Sequence, residues 1–224
     1  MALLDPAAPL EITAFDWVPD FALGFVRDLR PRWACEEAGL PYRERLVSAV
    51  SRPEWMYAEQ PWGQVPVLHD GELRLFESGA ILLHLGEKSE ALMPRDPQGR
   101  ANTQAWLFAA LNSVEPMAFE LANVTIFAAD QEWAKLRKPS LEAFITGRLD
   151  RLQTALGDKE WLTGQFTVAD IAMATVLREI RNDGMLGGHP QLGSYLDRAI
   201  ARPAFTRALD AQLAALDTGA PPRN

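Results

Sequence analysis

The stretch from Pro61 to Glu87, PWGQVPVLHDGELRLFESGAILLHLGE, constrains this chain more than any other. Two short apolar runs, Val65-Pro66-Val67-Leu68 and Leu73-Arg74-Leu75-Phe76, flank an Asp70-Gly71 pair. That pattern predicts a β-hairpin with a tight turn, because the glycine takes a positive φ without steric conflict. Pro66 cannot donate to a ladder, so at the start of a strand it requires an edge or a special local geometry. Directly afterwards, Glu77-Ser78-Gly79 opens an apolar run, Ala80 to Leu85, of helical character. The mouth of such a helix offers backbone N–H groups, here beside a hydroxyl. The helix dipole adds positive potential at the same point, so a carboxylate binds well there.

The elements around this stretch follow from local pattern. Residues 1 to 9 read as a short tail rich in Ala and Pro, and Leu10 to Phe15 alternates as a first strand. Pro19 and Gly24 punctuate the next segment. From about Phe25 the pattern becomes helical, with Val26, Leu29, Trp33 and Leu40 apolar and Arg27, Asp28, Arg30, Arg32, Glu36 and Glu37 polar. Pro31 then requires an early-turn position or a kink, and Gly39 supplies the stop. Tyr42 to Val47 is a second strand, and Arg52 to Gln60 a short irregular helix. The resulting β-α-β-α-β-β-α order predicts a mixed sheet flanked by helices.

The two prolines of Leu92 to Pro97 mark a linker, and after it no strand pattern recurs. Asn102 to Phe127 is helical but bent or broken at Pro116, and Trp133 to Leu156 is a second helix ending at Gly157. Thr167 and Asp170 form a capping box, with Phe166 and Ile171 placed as a hydrophobic staple, ahead of a helix apolar on most faces. His189 to Ile200 and Pro203 to Leu216 complete the chain's helices. The fold class is therefore α/β plus all-α, in two domains at 10–92 and 99–218 joined by a linker at 93–98.

At 224 residues the chain can bury one large core or two small ones. Its net charge of −8 favours neither nucleic acid nor an anionic membrane as a partner. The lone Cys35 excludes an internal disulfide framework, and the dispersed His69, His84 and His189 show no metal-ligand spacing. No apolar run reaches bilayer length, and the first residues have no basic segment followed by a long apolar one, so a cytoplasmic protein is expected.

The segments QVPVL, DGELRLFES and AILLHL together resemble the second half of the thioredoxin-like domain of soluble glutathione transferases. RWACEEAGL resembles that family's first helix, the Thr167–Asp170 capping box resembles its folding element, and PAFTRAL resembles its penultimate stretch. The resemblance thus touches both halves of the chain. It implies a thioredoxin-like N-terminal domain, an all-helical C-terminal domain and an active site in the cleft between them. It implies a homodimer too, one subunit's first domain packing on the other's helical domain. In that family the proline after Gln-Val is cis, the preceding backbone pairs with the cysteinyl part of glutathione, and the Glu-Ser pair holds the γ-glutamyl end. Gln64, Val65, Pro66, Glu77 and Ser78 match those positions.

An enzyme using glutathione needs a clamp for its carboxylates, a backbone partner for its cysteinyl amide, and a group that stabilises the thiolate. Ser78 with the helix N–H groups suits the γ-glutamyl carboxylate, Glu77 the α-amino group, Val65 the backbone pairing and Gln64 an amide contact. The third requirement departs from the family pattern. Most members place a Tyr, Ser or Cys just after the first strand, whereas residues 16 to 33 contain no Tyr, Ser, Thr or Cys. Alignment back from RWACEEAGL puts Arg27 near the usual catalytic turn. Arg27, then Arg30, or a backbone N–H at the helix start are the candidates to stabilise the thiolate; the alternative is that both arginines are solvated on a surface helix. Trp17 and Trp106 are candidates to line an apolar pocket for the electrophilic substrate, and Asn112 and Glu115, just before the Pro116 bend, are candidates to point into the cleft between the domains. Cys35, beside Trp33 and Ala34, reads as a buried structural thiol.

The function this implies is transfer of glutathione to a small apolar electrophile, with glutathione as co-substrate and no metal. Glutathione-dependent peroxide reduction, dehalogenation or isomerisation is a second reading. A non-catalytic glutathione-binding or regulatory protein on the same fold is a third.

Overall fold

The computed structural model describes residues 2–216, and its contacts group them into two compact units. One unit runs up to Met93 and takes in the described residues from Ala201 to Leu216; the other is Pro94–Ile200.

In the first unit, β1 (Leu10–Phe15) is the pivot of a four-stranded sheet of order β2-β1-β3-β4. It pairs in parallel with β2 (Tyr42–Val47), from Leu10↔Tyr42 to Phe15↔Val47. On its other edge it pairs antiparallel with β3 (Val67–Asp70), from Leu10↔Asp70 to Ile12↔Leu68. β3 in turn pairs antiparallel with β4 (Leu73–Phe76), and Gly71 at φ +63° makes the turn. The helices are α1 (Leu29–Ala38), α2 (Glu54–Glu59) and α3 (Ser78–Glu87), so the β-α-β-α-β-β-α order holds. Pro31 stands in the first turn of α1, where no intrahelical bond is lost, and Gly39 closes that helix at φ +69°. Ile12, Trp33, Leu68, Ile81, Leu82 and Leu85 are buried at the heart of the unit.

Two expectations need correction. Residues 2–9 are tied down rather than trailing: Leu4 bridges to Tyr42, the Asp5 N–H donates to the Tyr42 carbonyl, and the Leu3 N–H donates to Glu36 at 2.6 Å. In addition, α1 is no surface helix. It packs against α3 and against α9 (Pro203–Ala215), with the Trp33 ring edge-on to Phe205 at 4.9 Å. Arg30, Arg32 and Glu36 are consequently buried although the sequence pattern shows them as a polar face. The last helix, counted with the helical domain from sequence, thus belongs to the first unit. Residues 217 and 218 of that expected domain lie outside the described residues.

The second unit is helical: α4 (Pro97–Ala109), α5 (Glu115–Ala122), α6 (Glu132–Leu156), α7 (Val168–Asn182) and α8 (Pro190–Ile200). Of the expected linker, Met93 is fully buried and Pro97 already opens α4, whose N-cap Asp96 accepts from the Gly99 N–H at 2.7 Å. Between α4 and α5 the helix widens into a π turn at Ala110–Val114. Pro116 has no N–H to return to the fourth residue before it, which explains the widening. A second π turn, Asn123–Phe127, ends the run. The Thr167–Asp170 capping box is present at the start of α7. The buried Asp170 carboxylate also accepts from the Leu162 N–H at 3.0 Å and the Tyr195 hydroxyl at 2.9 Å, joining three segments at one group.

Candidate functional site

The candidate site lies in the first unit, where the β3–β4 hairpin stops. Val67↔Phe76 is the last rung, so Val65 and Pro66 on one side and Glu77 and Ser78 on the other extend beyond the ladder. The Val65–Pro66 peptide is cis. The β1–β3 register stops at Ile12↔Leu68, and beyond it the buried Thr13 hydroxyl takes over: it accepts from the Val67 N–H at 2.7 Å and donates to the Val67 carbonyl at 3.5 Å. The preceding loop is held by Gln60, whose buried side-chain carbonyl accepts from Trp62 at 2.6 Å and Gln64 at 3.2 Å. Gly63, at φ +62°, lies so close to the Tyr57 ring that a Cβ would sit 2.7 Å from it. Val65 is thereby presented with its backbone outside the sheet, and the Gln64 side chain is exposed.

Across from them, Glu77 precedes α3 with φ +70° and ψ +116°, the one positive φ outside glycine among the described residues. Such a backbone is costly for a side-chain-bearing residue and persists where the surroundings over-determine it. Its effect is to turn the chain so that the Glu77 side chain is exposed while Ser78, next to it, is buried at the mouth of α3. A carboxylate and a helix mouth, one residue apart, present opposite charge preferences. That arrangement matches the amino and carboxylate groups of a free amino-acid end.

Arg30 reaches this point from α1: its Nη1 donates to Ser78 Oγ at 3.0 Å, with Arg30 only 1% exposed. The solvated-surface alternative therefore fails for Arg30. Arg27 is half-buried in the turn before α1, its carbonyl accepting from the Arg30 N–H at 3.1 Å. Trp17 is half-buried in the segment after β1. Of the second-unit candidates, Trp106 is half-buried on α4, Asn112 is exposed in the first π turn and Glu115 is buried at the start of α5. The structure thus brings together Gln64, Val65, Pro66, Glu77, Ser78 and Arg30. Behind them, Arg32 is fully buried and bridges Asp28 at 2.7 Å and Glu44. Gln212 of α9 donates to Asp28 at 2.7 Å. Cys35 is fully buried, and burial pushes its thiol up, away from thiolate chemistry. Among the described residues no group of His, Cys, Asp and Glu is placed to hold a metal ion. None of their helices is long and apolar enough to cross a membrane.

A family model described as the glutathione S-transferase N-terminal domain matches residues 21–87. The disulfide-bond oxidoreductase YfcG of Escherichia coli is 32% identical over 188 residues, which cover 78% of this chain and 86% of that protein. The chain belongs to the glutathione transferase family. Another relative, glutathione S-transferase 4 of Zea mays, is 29% identical over 205 residues, 84% of this chain and 88% of that one. A solved glutathione transferase from Burkholderia graminis, with two glutathione molecules bound per subunit, is 27% identical with a TM-score of 0.79, covering 90% of this chain and 88% of that one. The thioredoxin-like domain followed by helices is the architecture of these glutathione transferase structures.

Sequence reasoning missed Thr13 and Gln60, which build the Val65–Pro66 corner of this family member. Thr13 had a signal: a hydroxyl at a core position of β1, in a chain whose third strand starts at a proline. Gln60 had none, since a glutamine before PWG is unremarkable until the loop is folded over it.

Proposed function

We propose that the protein binds glutathione at the hairpin–α3 corner and uses its thiolate to attack a small apolar electrophile. The observation that carries this reading is the opposed pair at the mouth of α3: exposed Glu77, beside a Ser78 hydroxyl backed by Arg30. The γ-glutamyl carboxylate meets Ser78 and the α3 N–H groups, its amine meets Glu77, and the cysteinyl amide pairs with the backbone of Val65. Gln64 contacts a peptide amide of the ligand. Arg27 lowers the thiol pKa by its charge, with backbone N–H groups before α1 as further donors. Trp17, Trp106 and Asn112 contribute to the pocket for the second substrate. The protein works as a cytoplasmic homodimer in detoxification, which the family resemblance supports.

A second reading is favoured by the YfcG relative and by the absence of any hydroxyl or thiol from residues 16 to 33. It is disulfide reduction: one glutathione thiolate attacks a disulfide sulfur and a second resolves the mixed disulfide. Two glutathiones are oxidised to one glutathione disulfide, and the substrate disulfide is reduced to two thiols. Retention on immobilised glutathione tests binding, and comparing turnover of an aryl halide with turnover of a small disulfide divides the two reactions. Failure to bind glutathione in calorimetry overturns both.

A further inference from the structure

A buried arginine behind the helix mouth is not needed to fold a hairpin, and its single-minded chemistry decides how Ser78 behaves. A guanidinium only donates hydrogen bonds, so in the 3.0 Å contact from Arg30 Nη1 the Ser78 oxygen is the acceptor. The hydroxyl has one hydrogen, and with its oxygen engaged by Arg30 that hydrogen is directed elsewhere. The Ser78 hydrogen is thus left to donate to an acceptor at the mouth of α3. Both residues are buried, so the positive charge is weakly screened and adds to the helix dipole at the same point. The packing of α1 against α3 holds the two in register. A carboxylate gains from every one of these features; a neutral acceptor gains the hydrogen bond but not the charge attraction, and a donor group gains from none.

We infer that Arg30 is a positioning residue that acts through Ser78: it orients the hydroxyl as a donor and sets the preference of the α3 mouth for the γ-glutamyl carboxylate. The inference rests on the glutathione reading and reassigns Arg30 from the sulfur end of that ligand to its carboxylate end. Arg27 is left as the arginine for the thiolate.

The test compares two ligands by isothermal titration calorimetry: glutathione, and 4-aminobutyryl-cysteinylglycine, which lacks only the γ-glutamyl α-carboxylate. Each is titrated into the wild type, Arg30→Met, Arg30→Lys and Ser78→Ala. The wild type should prefer glutathione by about tenfold or more, the span of one charge-assisted hydrogen bond. That ratio should collapse in Arg30→Met and in Ser78→Ala, recover in part in Arg30→Lys, and fall no further when Arg30→Met and Ser78→Ala are combined. Should Arg30→Met not fold, Ser78→Ala and Arg30→Lys still carry the comparison. A ratio that stays at the wild-type value in the arginine variants overturns the assignment while leaving the glutathione reading intact. No binding of either ligand by the wild type overturns both. A purely structural arginine would weaken the two ligands alike and leave the ratio unmoved.

Discussion

Glu77 carries the sharpest local conflict in the protein, because a side-chain-bearing residue is held at φ +70° between β4 and α3. The conflict reverses an ordinary expectation. Glycine elsewhere destabilises relative to alanine by about 0.5–1 kcal/mol. At position 77 the strain on any Cβ makes Glu77→Gly more stable than Glu77→Ala, by about 1 kcal/mol in urea unfolding. Both variants should bind glutathione more weakly than the wild type, since each removes the carboxylate proposed to meet the ligand's amine. Equal stability, or an alanine advantage, would show that the backbone there is unstrained. Arg27 has its own test. If its charge stabilises the thiolate, Arg27→Ala moves the titration midpoint of bound glutathione, followed by ultraviolet absorbance, upward by roughly one to three pH units. An unmoved midpoint removes Arg27 from the chemistry.

The hairpin and α3 are held as one piece by side chains at both ends. At the inner end, the Thr13 hydroxyl satisfies the Val67 backbone N–H and carbonyl on the β1 side, where the β1–β3 register has already stopped at Ile12↔Leu68. Thr13→Val keeps the shape, strands a buried N–H, and should cost about 1–3 kcal/mol in denaturant unfolding. At the turn end, Asp70 accepts from Lys88 at 2.6 Å and His84 at 2.8 Å. The Lys88 hydrogen bond is the main cause holding its carboxyl below the usual range, against the opposing effect of burial, with His84 adding to it. A depressed carboxyl pKa contributes stability that is present above the unfolded value and lost as pH falls through the folded one. Thermal unfolding of wild type and Asp70→Asn should therefore differ near neutral pH and converge well below about pH 4. A gap that persists undiminished at low pH contradicts this. Most of these elements were legible in advance. Apolar alternation marked the strands, Asp70-Gly71 the turn, and Thr167 with Asp170 the start of α7. What was not legible was burial of polar side chains: nothing in the spacing of Arg30, Arg32 and Glu36 distinguishes a solvated face from one covered by α9, more than 160 residues later.

That return of the chain is the long-range feature of the first unit. α9 packs on α1, and two arginines tether it: Arg207 to the buried Glu36 at 2.7 Å, and Arg202 to Glu37 at 2.5 Å. Removing Arg207 leaves the buried Glu36 carboxylate, among the described residues, with the Leu3 N–H as donor and no cation, whereas Glu37 keeps the Trp33 indole N–H as a donor at 3.0 Å. Arg207→Met should therefore destabilise by about 2–3 kcal/mol, and Arg202→Met by less. Domain order was readable from periodicity, but a helix returning to the first domain was not, because helical spacing states which face is apolar and never which surface it meets. The proposed glutathione clamp draws on the family resemblance and on the hairpin–α3 corner, while the identity of the thiolate's partner rests on residues 16 to 33, where the chain departs from the family pattern. The most direct test is a two-dimensional amide NMR titration with reduced glutathione. Saturable shifts should concentrate on Gln64, Val65, Ser78 and Gly79, the backbone at the end of the hairpin and the mouth of α3. Shifts confined to other residues, or no saturable change, would contradict glutathione binding at this corner.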